Sequence, residues 1–207
     1  MRWLLTVLAA LCVTLGAGTA RADVPRSADG YGVMAGSADA PVQLEIFIEP
    51  QCPHVAELES SYGQQIADNV DSGRLAVTYR PLTFLDDRHH NDASARIGNA
   101  LFLAAGPATS PTAYQSFVQD IYRQQSKDGP DDNDIAAMAR ESGVPEPAAA
   151  AIAAGDDAVD PAAMNDANRA RLNEENPENP GTPTVYDLDA RNVVDLQDPG
   201  WLDKLLG

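Results

Sequence analysis

The sequence is short of positive charge and of cysteine, and each shortage excludes something. Fourteen lysines and arginines stand against 31 aspartates and glutamates, giving a formal net charge of −17. Phosphate backbones are held by basic faces, so nucleic acid is excluded as a ligand. The acidity describes a solvated surface and favours cationic partners. Apolar runs are also scarce: beyond residues 3–20 none is long enough to cross a bilayer. No glycine-rich phosphate loop, hydrolase nucleophile motif or zinc signature is present, and neither metal nor cofactor is expected. Cysteine occurs twice, at Cys12 and Cys52.

Cys12 lies in an N-terminal stretch with the three parts of a secretory signal peptide. Met1-Arg2 gives a positive start, Trp3 to Ala20 is uncharged, and Ala20-Arg21-Ala22 ends in small residues. Gly16, Gly18, Thr14 and Thr19 weaken the stretch as a membrane anchor, and Leu11 before Cys12 does not suit lipid attachment. Residues 1–22 are therefore expected to be a cleaved signal peptide, with the remainder outside the cytoplasm, in the periplasm or cell envelope or secreted, and without a stable membrane span. With Arg2 and Arg21 removed, 12 basic residues face 31 acidic ones, a formal charge of −19. Exported domains usually carry cysteines in pairs. Residues 23–207 carry one, Cys52, which has no internal disulfide partner and is either buried and inert or a thiol open to other molecules.

Residues 23–207 suit one domain with a true core. Asp23 to Ala40, rich in Gly, Ser, Ala and Asp, reads as a loose lead-in. Val42 to Ile48 alternates apolar residues and reads as a strand. A helix follows, with Cys52 at its N-cap, Pro53 at its first position, and Val55, Leu58, Tyr62 and Ile66 on one face up to Gly73. Leu75 to Arg80 reads as a second strand. The middle is helical: a stripe from Ala93 to Ala104, a helix capped by Ser110-Pro111, a third around Ile135 to Gly143, and one or two short helices within the alanine-rich stretch from Pro147 to Met164. Thr184–Leu188 and Asn192–Leu196 read as a hairpin, and Pro199–Leu206 as a last helix. The order is βαβ, a helical block, then ββα. This is an α/β arrangement with an inserted helical lobe: core about 36–85 and 177–207, insertion about 86–176.

Cys52-Pro53-His54 sits where a strand gives way to a helix. Backbone N–H groups and the helix dipole favour negative charge on a sulfur placed there, and a protonated His54 adds to this; the thiolate is the form that attacks disulfides. Glu49-Pro50-Gln51-Cys52-Pro53-His54-Val55, following an apolar strand, resembles the active-site motif of the DsbA-type thiol-disulfide oxidoreductases. Gly181-Thr182-Pro183-Thr184-Val185 resembles the cis-proline loop of the same family, and Ala40-Pro41-Val42 and Arg80-Pro81-Leu82 match its framing. The resemblance spans roughly residues 36–207 and implies a thioredoxin-like fold. It implies a cis Pro183 lying against Cys52, and a backbone at Thr182 that hydrogen-bonds an extended substrate as an added strand would.

The family motif ends in a second cysteine, and this chain has Val55 there. An internal thiol normally resolves the mixed disulfide because a group held nearby acts at very high effective concentration. Val55 removes that route while conserving volume. Three uses of Cys52 stay open at this point. It works as a one-thiol reductase or isomerase finished by a small-molecule thiol or another exported protein. It forms a lasting mixed disulfide with a partner, or a disulfide-linked homodimer. Or the chain is a non-catalytic module that binds extended peptides beside Pro183. Asp86-Asp87-Arg88-His89-His90-Asn91-Asp92 offers metal-like side chains but no spaced partner, and reads as a solvated loop or helix start. For Glu45 and Glu49, on either side of the strand's end, a surface position is expected.

Overall fold

The computed structural model describes residues 24–126 and 128–207; the signal-peptide reading of residues 1–22 and the location it implies lie outside the described residues. A five-stranded sheet runs in the order β1-β3-β2-β4-β5. β2 (Val42–Ile48) and β3 (Leu75–Pro81) are parallel neighbours at its centre, in register from Val42 opposite Leu75 to Ile48 opposite Pro81. They are joined by α1 (Pro53–Asp71), a crossover of the length a parallel pair requires. β4 (Thr184–Asp187) lies antiparallel to β2, and β5 (Asn192–Val193) lies outside it. Every residue of β3 is buried, as expected of a strand covered on both faces.

Between β3 and β4 come six helices: α2 (Phe84–His89), α3 (Ala93–Ala104), α4 (Pro111–Arg123), α5 (Asp132–Glu141), α6 (Glu146–Ala154) and α7 (Pro161–Glu175). The βαβ…ββα frame with a helical lobe is thus the arrangement read from the sequence, and the fold is thioredoxin-like. α4 crosses α1 closely at Gly63, where an added Cβ would stand 2.8 Å from Glu59 Oε2 and 3.0 Å from Gln119 Cγ. On the other flank, α8 (Trp201–Leu206) sets the Trp201 ring 5.2 Å from that of Tyr62, whose hydroxyl donates to Pro199 O at 3.2 Å.

Several local expectations are corrected. The lead-in is not loose: it contains β1 (Val33–Ala35), antiparallel to β3. Its glycine at 36 has φ 111° and approaches β3 so closely that a Cβ would lie 2.7 Å from Leu75 O. The alanine-rich stretch holds α6 and the start of a longer helix, α7, which Asp160 caps by accepting from Ala162 N and Ala163 N at 2.9 and 3.1 Å. The outer strand is shorter than read: after Val194 N donates to Val185 O the chain leaves the sheet.

Glu45 and Glu49 are buried, against expectation. Glu45 faces Arg80 at 2.8 Å and Arg171 at 2.6 Å, and these arginines also bond Asp29 and Glu175, each at 2.9 Å. Charges at such depth persist only when paired. The network joins β2, β3, α7 and the lead-in.

Candidate active site around Cys52

β2 ends by turning through Glu49-Pro50-Gln51-Cys52, closed by Cys52 N donating to Glu49 O at 2.9 Å. Three side chains hold this turn. The Glu49 carboxylate accepts from Gln51 N at 2.7 Å and from the Ser94 hydroxyl. Gln51, itself buried, donates to Asp86 Oδ1 at 2.7 Å, Ser94 Oγ at 2.9 Å and Asn91 Oδ1 at 3.1 Å, while its oxygen lies 2.8 Å from His89 Nδ1 and 2.9 Å from Asn91 Nδ2. From the lobe, Gln125 donates to the carbonyls of Pro50 at 2.8 Å and Cys52 at 3.1 Å. The stretch 86–92 is therefore more than a solvated loop or helix start: α2 and the turn after it grip Gln51, and Asp86 also accepts from Ser94 N and Ala95 N at the start of α3. Among the described residues no group of three metal-ligating side chains forms.

Burial raises the Glu49 carboxyl to about 7, against the bonds from Ser94 and the Gln51 and Leu85 backbone, with the Asp86 charge pushing the same way as burial. A second buried acid, Glu59, is raised by burial to about 7 and bonds Tyr79 at 3.3 Å; the Tyr79 hydroxyl reaches Gln115 Oε1 at 2.7 Å. With Glu59 protonated, proton and hydroxyl donate in sequence from Glu59 to Tyr79 to Gln115.

Cys52 is the N-cap of α1 and makes no side-chain cap bond; Pro53 opens the helix. Cys52 as a residue is 7% exposed, and its sulfur donates to Thr182 O at 3.4 Å. The Thr182–Pro183 peptide is cis, and both residues are half-buried. Cys52, Thr182 and Pro183 are thus brought together from the two halves of the chain. His54 is not part of that contact: its side chain is exposed, with Nδ1 3.1 Å from Glu57 Oε2. Val55 is fully buried in the main core. Gln51 and Gln125 were missed in the sequence; Gln51 adjoins the cysteine, but nothing local marks Gln125, whose partners lie about 75 residues away.

Two cavities flank the cis-proline. One, of about 500 Å³, lies between α1 and the loop after β5, touching His54, Leu58, Tyr62, Pro183 and Leu196. The other, of about 580 Å³, continues along β4 and β5 past Val185 and Val193. Thr182, Pro183, Leu196 and Gln197 line both, so they form one groove that passes Thr182, whose carbonyl meets the Cys52 sulfur.

The comparisons with known proteins agree with this geometry. Among solved structures, the MdbA protein of Corynebacterium diphtheriae, a thiol-disulfide oxidoreductase, superposes with a TM-score of 0.71 at 20% identity, covering 88% of this chain and 93% of that one. Reduced DsbA of Mycobacterium tuberculosis gives 0.63 at 20% identity over 85% of this chain and 91% of that one. At these identities the likeness is one of fold. The serine/threonine-protein kinase PknE of Mycobacterium tuberculosis is 33% identical over 183 residues, covering 85% of this chain and 31% of the kinase, so the chain spans about a third of that relative. A family model described as thioredoxin matches residues 28–206. The chain belongs to the thioredoxin family, with the DsbA-like fold and with Val55 where the resemblance calls for a second active-site cysteine.

Proposed function

We propose that the protein is exported and exchanges protein disulfides through Cys52 alone. The observation that carries the reading is the setting of its sulfur: at the N-terminus of α1, 3.4 Å from the carbonyl before the cis-proline, at the head of a groove. The Cys52 proton passes to solvent water, giving up the bond to Thr182 O, and the thiolate attacks one sulfur of a substrate disulfide. A Cys52–substrate disulfide forms as the substrate's own bond breaks and its other sulfur departs as a thiolate. A thiolate from a second thiol on the same substrate, another exported protein or a small molecule then attacks the substrate sulfur and frees Cys52. Each step exchanges one S–S bond for another, so no electrons are gained or lost overall. Export is supported by the signal-like residues 1–22, and among the described residues no helix is long and apolar enough to cross a membrane. A second copy of the chain is a further partner: its Cys52 thiolate attacks the Cys52 sulfur of a Cys52–substrate disulfide, linking the two copies as the substrate sulfur departs as a thiolate.

The test is exchange with a model peptide disulfide in the presence of a small thiol. Turnover is expected in the native chain, absent in Cys52→Ser, and a mixed disulfide should accumulate when the small thiol is withheld. In Val55→Cys that species should disappear, because an internal thiol now releases it. One-step oxidation of a dithiol substrate by the native chain would sink the reading. A second reading is favoured by the burial of Cys52: a binding module that uses the groove without exchange. It predicts equal peptide affinity for the native chain and Cys52→Ser, with no turnover by either.

A further inference from the structure

We propose that the groove beside Pro183 selects extended polypeptide segments carrying lysine or arginine close to the reacting cysteine. The place of the groove rests on the reading of Cys52 just given; its charge preference is a separate property that can be measured without any exchange chemistry.

The end of the groove beside α1 is mainly apolar. Leu58 and Tyr62 of α1, Pro183 and Leu196 line the end nearest Cys52. Farther along lies Val193, 38% exposed, the one large hydrophobic side chain in the exposed class among the described residues. β5, which carries it, ends the sheet order, so its outer edge can pair with an added strand. The Thr182 hydroxyl oxygen, at the junction of the two cavities, is buried without a hydrogen-bond partner. These features suit an extended chain rather than a small ligand.

The rim is acidic on three separate segments: Glu57 on α1, Glu178 before the cis-proline and Asp195 after β5. No lysine or arginine lines either cavity. Glu57 meets only His54, and neither Glu178 nor Asp195 is ion-paired among the described residues. Basic side chains lie elsewhere: Arg80, Arg96, Arg123, Arg140, Arg171 and Lys204 each sit against a carboxylate. Like charges around a low-dielectric cleft focus their field into it and raise the local concentration of the opposite charge. Apolar contacts supply affinity with little regard to sequence; the rim supplies the choice.

The experiment uses two fluorescein-labelled peptides of equal length, alike except that one has lysines and the other glutamates around a central serine. Binding to the Cys52→Ser chain is followed by anisotropy at low ionic strength and at high salt. The basic peptide should bind about tenfold tighter at low ionic strength, with the gap closing at high salt. Net charge alone would also favour it, so two triple variants separate the causes. Glu57→Gln with Glu178→Gln and Asp195→Asn should lose most of the preference. Asp134→Asn with Glu141→Gln and Asp157→Asn, equally neutralised at exposed positions away from the groove, should keep it. Equal binding of the two peptides, or equal loss in the two variants, overturns the proposal. The same peptides with cysteine for serine, each as a disulfide with a chromogenic thiol, are then given to the native chain. Selective binding without a mixed disulfide refutes exchange and leaves the preference standing. Exchange at equal rates with both peptides refutes the preference and leaves exchange standing.

Discussion

Glu45, in the middle of β2, and Glu49, just past its end, are both buried, but they are satisfied in opposite ways. Glu45 is met by two guanidinium groups. Glu49 is met by neutral donors, a serine hydroxyl and backbone N–H groups, with the carboxylate of Asp86 nearby. The first arrangement holds a charge whose loss on either side strands the other. The second holds a group that burial drives toward its protonated form. The sheet is thus pinned by ions at one point and by a polar cluster beside Cys52, in which Gln51, Ser94 and Asn91 are uncharged.

The comparison breaks most visibly at Arg80. Arg80→Met leaves Glu45 facing Arg171 alone and Asp29 without its partner, and should cost about 3–5 kcal/mol in denaturant unfolding, with exchange by the remaining folded molecules unaltered. A loss below about 1 kcal/mol would mean that this network behaves as a surface one.

The next effect is in pH. Glu49 and Glu59 hold protons more tightly in the folded chain than in the unfolded, where the ordinary value is 4.5. Their contribution is therefore fully present below about pH 4.5 and is lost as pH rises to about 7. Asp29 is shifted the other way by its hydrogen bonds and by Arg80, so its contribution is lost as pH falls below the carboxylate range. Thermal stability should peak near pH 5 and decline toward pH 7.5. Glu49→Gln should flatten that decline by an amount on the order of 2–3 kcal/mol, the Ser94 hydroxyl turning to accept from the new amide. An unchanged slope would show that the carboxyl finds water where the structure places protein.

Smallest in stability, but aimed at the site, is Ser94→Ala. It removes one donor to Glu49 and one acceptor for Gln51, at a cost of about 1–3 kcal/mol. The turn 49–52 loosens, and exchange through Cys52 should slow several-fold in molecules still folded, while Arg80→Met leaves it unchanged. If both variants slow exchange alike, the cluster beside Cys52 has no special hold on the sulfur.

The contrast also marks what the sequence could disclose. The strand–helix–strand unit around Cys52 was legible because its signals are local: alternation from Val42 to Ile48, a proline at the first helical position, an apolar stripe along α1. The loop with Pro183 was legible through resemblance. Buried Glu45 was not, because Arg80 and Arg171 are 35 and 126 residues away and nothing at position 45 announces them. β1 was hidden for the same reason, its three residues taking their strand character from β3. Asp160-Pro161 did signal the start of α7, but the surrounding alanines obscured it.

Val55 has one consequence best expressed as time. It fills its place in the core completely, and Cys52 is the single cysteine among the described residues. Any disulfide formed at Cys52 would then have no clock of its own. Where the substrate brings no second thiol of its own, the lifetime would be set by the surrounding thiols, halving when their concentration doubles, so the fraction of protein held in complex would record how reducing its surroundings have been.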